Sequence, residues 1–432
     1  MKLYIRITLS TLLLFSIACK KNNELEKSYR WSKEKIQNWY DNQPWLVGTN
    51  FITSSSINQL EFWQEETFDL NLIEKELKLS ASIGMNTHRV FLHDLLWKQD
   101  SIGFMNRIDQ FLDIANKNGI KTMLVFFDDV WHPFPKLGKQ PDPIPHIHNS
   151  GWVQSPGVEI LTDLKRHDEL EGYIKGIVSR FKNDKRVLCW DLYNEPSQHN
   201  GAPRVSKERV FEIYKNIGIT LTEEELPLYY RDKMEPTGKE KRKYTLPLLE
   251  KTFKWVREIN PSQPVTVGIF DHDIAWDKFE DLLPLEQLIL KNSDFISYHG
   301  YDNLEVEISR INQLKIYGRP IVCTEYIARE NGNIFENMLP LFKENRIGAY
   351  NWGFVSGKTN TIYPWKSWDS TYTGPPKKWH HDIFYPNGEP FSKEEVELIK
   401  NLTQTISKES KRVSGSDKQL IEKLKKILEK LK

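Results

Sequence analysis

The stretch Val187-Leu-Cys-Trp-Asp-Leu-Tyr-Asn-Glu-Pro196 decides the fold. Its apolar run reads as a buried strand, and Pro196, which has no N–H to give a ladder, ends it. Glu195 is therefore presented where a strand gives way to a loop. A second stretch, Pro320-Ile-Val-Cys-Thr-Glu325-Tyr326, repeats the arrangement. Six further runs read as strands: 45–51, 87–93, 121–127, 264–270, 295–301 and 348–354. Helical spacing fills the intervals. Leu70, Ile73, Leu77 and Ala81 share one face before a stop at Gly84, and Met105, Ile108, Phe111, Leu112 and Ala115 share another before Gly119. Further helices are predicted at 32–40, 170–181, 246–259, 278–291, 304–316, 333–345 and 393–406. Strands alternating with helices demand parallel pairing. Eight such strands indicate a closed α/β fold, a (β/α)8 TIM barrel whose active-site face lies at the strand C-termini. Long loops on that face follow the third and eighth strands, and residues 197–245 read as a charged, irregular insertion.

The formal net charge of +1 over 432 residues suggests no nucleic-acid or membrane-surface partner. Fourteen Trp are many for this length, and about a third are expected near a ligand, since binding clefts use aromatic walls. Lys2 and Arg6 precede an apolar segment, Ile7 to Ile17, too short for a comfortable membrane span. It ends Ser16-Ile17-Ala18-Cys19, which resembles a bacterial lipobox. That resemblance implies a signal peptide over 1–18, lipidation of Cys19 and a polar tether over 19–30. The catalytic domain is then 31–410, anchored to the bacterial cell envelope on its periplasmic or outer-surface face. Residues 411–432 form a Lys-rich amphipathic helix (Leu420, Ile421, Leu424, Ile427, Leu428, Leu431), expected to dock on the barrel. Cys189 and Cys323 fall on non-adjacent strands and are expected as free buried thiols. A monomer is expected.

Two carboxylates at strand ends suit glycosidic bond cleavage, which needs one protonated donor and one ionised nucleophile. Asp94, Asp128, Asp129, Asp271 and Asp273 compete at the rim; each reads equally as a sugar contact or as a helix cap. Asp191, inside its strand, reads as structural. In the loop from 128 to 157, Trp131, His132, His146, His148 and Trp152 read as a lid or subsite wall rather than a metal site, for want of Cys or a compact acidic cluster. Trp365, Trp368 and Trp379 are candidates for the same wall.

The order Asn194-Glu195 at strand four and Glu325 at strand seven resembles glycoside hydrolase clan A, in particular family 5 cellulases, mannanases and related xylanases. Arg89, His299, Tyr301 and Trp352 match its pattern at strands two, six and eight. The resemblance implies Glu195 as acid/base and Glu325 as nucleophile, without metal or organic cofactor. Arg89 and Tyr301 would hydrogen-bond Glu325, Asn194 would hold the sugar 2-hydroxyl, and Trp352 would stack on the sugar. Asp128 and Trp131 join the substrate-binding candidates. Arg89 as a barrel salt bridge, His299 as a structural histidine and Trp352 as core filler remain open. One departure stands out: many family 5 enzymes carry a histidine at the end of strand three, where this chain has Phe126-Phe127-Asp128-Asp129. The expected activity is retaining hydrolysis of β-linked polysaccharide or oligosaccharide. An exo-acting β-galactosidase or β-mannosidase, and a non-catalytic carbohydrate-binding lipoprotein, are the alternatives.

Overall fold

A computed structural model describes residues 30–404 apart from 199–206, 217, 224–237 and 271–273. The expected signal segment, Cys19 with most of its tether, Asp271, Asp273 and the C-terminal tail lie outside the described residues.

Nine strand segments pair in parallel: β1 Val47–Asn50, β2 Thr87–Phe91, β3 Lys121–Asp128, β4 Val187–Asn194, β5 Val265–Thr266, β6 Gly268–Ile269, β7 Ile296–His299, β8 Ile321–Tyr326 and β9 Gly348–Asn351. Their order is β5-β4-β3-β2-β1-β9-β8-β7-β6. β5 and β6 are the halves of the expected fifth strand, parted at Val267. One half pairs with β4 and the other with β7, so the eight predicted strands do close into a barrel.

Burial follows the period-two alternation of strands. On β4, Trp190 and Leu192 point outward into the layer between sheet and helices. Cys189 points inward, where it packs with Met123, Val322 and Tyr350, and Asp191 sits deeper toward the rim. Helix Lys33–Asp41 closes the barrel floor, with Ile36 and Tyr40 in the same cluster. The Tyr40 hydroxyl donates to the Arg346 carbonyl at 2.8 Å. Cys189 and Cys323 are free and buried, as expected. Gly84 and Gly119 follow their helices at φ +84° and +73°, the left-handed conformation that glycine adopts without a Cβ clash.

The insertion is more regular than its charge suggests. It holds a helix at Lys207–Asn216, and the helix expected from residue 246 starts at Gly238 and runs to Ile259. The added turns carry Lys241, whose ammonium lies 3.3 Å from Asp129 with both side chains fully buried. Three further oxygens, the carbonyls of Asp129 and Gln198 and the Gln154 amide, accept from it at 2.9–3.2 Å. A run of Lys and Glu reads as a solvated face; the buried acceptor that captures Lys241 is 112 residues away in sequence. Removing one partner of a buried ion pair leaves an uncompensated charge, at a cost of about 3–5 kcal/mol. Lys241→Met is therefore expected to lower the free energy of unfolding by that much, read as a lower urea midpoint with an unchanged denaturant slope. A midpoint equal to wild type would show the pair to be energetically idle.

Candidate active site

Arg89, at the third position of β2, points into the barrel. Its Nε donates to Asp191 at 2.9 Å, Nη1 to Asn50 at 2.9 Å and to Glu325 at 2.8 Å, and Nη2 to Asn194 at 2.7 Å. Nη2 also lies 2.9 Å from Asp191. Every N–H of the guanidinium thus has an acceptor, from β1, β4 and β8. Burial opposes its charge, but Asp191 and Glu325 hold it above the ordinary arginine value. Arg89 is at once a barrel salt bridge to Asp191 and a hydrogen-bond donor to Glu325. Asp191 is structural, as expected.

Glu325 accepts from Arg89 on one oxygen and from the Tyr301 hydroxyl, at 2.8 Å, on the other. Burial pushes its carboxyl above the usual range, and the Glu195 charge pushes the same way; His299, Arg89 and Tyr301 oppose them. Across the mouth, Glu195 accepts from Gln198 Nε2 at 3.1 Å. His299 Nδ1 lies 2.8 Å from Glu195 and 3.5 Å from Glu325. It bridges the two carboxylates, which neither reading of the sequence had foreseen. Carboxylate oxygens of the two glutamates lie within 4.8 Å of each other. Retaining pairs stand about 5–5.5 Å apart and inverting pairs about 6.5–9.5 Å; one oxygen from each glutamate approaching within 4.8 Å is compatible with the retaining range.

Both glutamates sit at strained strand ends. Glu195 has φ +43° and Ser197 φ +76°, and beyond Glu325 the β-branched Ile327 has φ +78°. Left-handed non-glycine residues cost on the order of 1–3 kcal/mol each and persist only where neighbours over-determine them. Here they do. Asp129 accepts from the Ser197 amide at 2.6 Å, and Asn333 from the Ile327 amide at 2.8 Å. Asp129 is thus a loop anchor, held also by Tyr193 and Thr245.

Asn194 gives its oxygen to Arg89 and one N–H to Asp128 at 2.9 Å, leaving one N–H of its amide for a substrate hydroxyl. Asp128 corrects its expectation. Its two oxygens accept from Asn194, Val130, Gln59 and Trp152 at 2.7–3.2 Å. It lies behind the cleft as a bracket, and burial, against those donors, pushes its carboxyl up to about 7. Asp94 is likewise internal, accepting from Ser155.

The cleft above the glutamates has a volume of about 420 Å³. Trp131, Trp352 and Trp365 line it, three of the fourteen Trp and fewer than the expected third. Trp352 meets Phe91 and Trp152 edge to face, so one of its sides is core and the other cleft. Trp368 lies behind the wall, stacked on Trp131 at 5.2 Å. Trp379 stacks on Phe391 instead, away from the cleft. His148 lines the cleft, while His132 is buried against the Ser150 carbonyl. Asn149, Gln198, Phe270, Asn331 and His381, none of them a candidate from the sequence, line it too. Gln198, three residues past Glu195, could have been found from the turn at Pro196; His381, deep in a long loop, carries no such signal. Glu195, His299 and Glu325 form the only His/Cys/Asp/Glu group among the described residues with metal-like spacing, and Arg89 and Tyr301 already occupy the Glu325 oxygens.

A probable mannan endo-1,4-beta-mannosidase A-1 of Aspergillus terreus is 28% identical over 105 residues, 23% of this chain and 24% of that protein. The chain thus matches about a quarter of that relative's length. Among solved structures, a GH5_18 variant of Streptomyces cattleya in complex with Manb1-4GlcNAc superposes with a TM-score of 0.50 at 10% identity, covering 85% of this chain and 82% of that one. Fpglu1 of Fervidobacterium pennivoraus gives 0.51 at 12% identity, over 84% and 96%. At these identities the likeness is one of fold. The sequence pattern of Cellulase (glycosyl hydrolase family 5) covers residues 48–357, and with that match over most of its length the chain belongs to glycosyl hydrolase family 5.

Proposed function

We propose that the protein is a retaining β-glycoside hydrolase of β-linked polysaccharides or their fragments. The Glu195–Glu325 spacing carries this reading, and family membership supports it. In the first step a Glu325 oxygen attacks the anomeric carbon while Glu195 gives its proton to the departing glycosidic oxygen. This leaves a glycosyl ester on Glu325. In the second step Glu195 takes a proton from water, the water oxygen attacks the same carbon, and Glu325 departs as carboxylate. Trp352 offers the apolar sugar face a platform, and the remaining Asn194 N–H is placed for a hydroxyl. Mannose-containing chains are the first substrates to try, given the relative's name. We further propose anchoring through Cys19, on the strength of Ser16-Ile17-Ala18-Cys19. Labelled palmitate should enter the wild type and not Cys19→Ala; equal labelling would remove the anchor.

A panel of aryl β-glycosides and polysaccharides, followed by proton NMR, should show the first product with the substrate's anomeric configuration. Inversion would exclude Glu325 as nucleophile. Glu195→Gln should lose about 10²–10⁴-fold in kcat on substrates with poor leaving groups, the usual weight of acid–base catalysis, and much less in bond breaking with an activated aryl group. Glu325→Gln should abolish turnover of both.

The pH dependence has a definite sign. Glu325 must be ionised to attack, and burial raises its pKa. Activity is then lost as pH falls through a value above the ordinary glutamate range. Tyr301→Phe removes a hydrogen bond that favours the charged form. The acid limb of kcat/KM should move further up in this variant; an unmoved or lowered limb would mean that Tyr301 does not tune the nucleophile.

A further inference from the structure

We infer that the cleft is closed on the glycone side, so that the enzyme trims chains from their non-reducing end and releases a short product of fixed length. The inference rests on the hydrolase reading above. Its basis is the joining of two loops that leave the barrel on either side of β1 and β2. The loop after β3 and the loop after β9 bond directly to each other. The Asn149 amide donates to the Thr359 carbonyl at 2.8 Å, and the His148 amide to Ser367 Oγ at 3.0 Å. His148 Nδ1 is 2.8 Å from the Tyr363 carbonyl, His146 Nδ1 is 2.6 Å from the Tyr363 hydroxyl, and Asn360 donates to the Ile144 carbonyl at 3.1 Å. The stack of Trp131 on Trp368 adds an apolar seam with rings only 13° from parallel.

This joined wall is backed from below by the loop after β1. Asn58 donates to the Gly151 carbonyl at 2.9 Å, and Lys358 pairs with Glu61 at 2.6 Å. Three loops therefore form one block over β1 and β2. Among the described residues, none from the loops after β1 and β2 lines the cleft. Behind Trp352, where β1 and β2 end at Asn50 and Phe91, lies a cavity of about 20 Å³. That space suits one water molecule, which needs roughly 10–15 Å³, and no sugar ring.

The polarity of the chain follows from the chemistry. Glu195, just past the end of β4, gives its proton to the leaving oxygen, so the aglycone lies on the β4 side with Gln198. The ring under attack lies over Glu325 and Trp352, on β8 and beside β9. Continuing past that ring, away from Glu195, the chain meets the wall. A non-reducing end fits there, and the interior of a polymer does not.

The test uses the full chain and p-nitrophenyl β-glycosides to identify the accepted sugar. Oligosaccharides of that sugar, of several lengths and labelled at the reducing end, then report where the chain is cut. The expected result is one unlabelled short product, the same at every length. The doubly substituted Asn360→Gly, Tyr363→Phe loses two of the loop bonds; glycine tolerates the φ of +56° at position 360. It should cut at several positions where the wild type cuts at one. A ladder of internal products from the wild type would overturn the inference while leaving the hydrolase reading intact. A fixed product unchanged in the double variant would also overturn it, because closure would then not come from the joined loops. Absence of turnover on every aryl glycoside would instead sink the hydrolase reading itself.

Discussion

One guanidinium governs the interior of this barrel. Arg89 reaches from β2 to Asn50 on β1, Asp191 and Asn194 on β4, and Glu325 on β8. Its planar fork supplies five donors in fixed directions, which a lysine ammonium cannot reproduce. Desolvating an arginine beside two carboxylates is costly, and only full hydrogen bonding makes it tolerable. Four side chains from three strands thereby acquire fixed positions relative to a fourth strand. The orientation of Glu325, the register of β4 and the position of the Asn194 amide are consequences of one buried ion.

The two glutamates are held differently. Glu325 is clamped on both oxygens by donors that cannot give up their place without unpairing a buried group. Glu195 faces Gln198 and His299 from a left-handed turn that Asp129 anchors. His299 between them couples the pair electrostatically, so a proton on one changes the cost of a proton on the other. Asp129, in turn, depends on Lys241, on the part of the Gly238–Ile259 helix that lies within the insertion. The strained loop that aims Glu195 is thus stabilised by residues that never approach substrate.

Which residues were legible in the sequence has a physical pattern. Glu195 and Glu325 could be read because an apolar strand followed by a break locates a strand end, and in a barrel that locates the rim. Arg89, Tyr301 and Trp352 could be read only through the family resemblance, since a lone Arg, Tyr or Trp near a strand end names no role by itself. Asp128 obeyed the rule and was misjudged: it stands at a rim, but Trp152 and Gln59 fold over it from segments 24 and 69 residues away. Trp379 failed likewise, since its partner Phe391 lies in an irregular loop with no periodicity. The helix at 207–216 and the early start at Gly238 were hidden by charge, because the buried acceptors that stabilise the second are not local. Sequence shows which strand end a side chain occupies; it does not show which loop will cover it.

The interruption at Val267 carries a mechanical implication. The ring of backbone bonds passes from β4 to β7 through two dipeptides, each paired on one side only. Elsewhere neighbouring strands share three or more paired positions. Amide deuterium uptake should therefore begin beside Val267, and a cylinder that must open somewhere will unzip there first, on the flank opposite the joined wall.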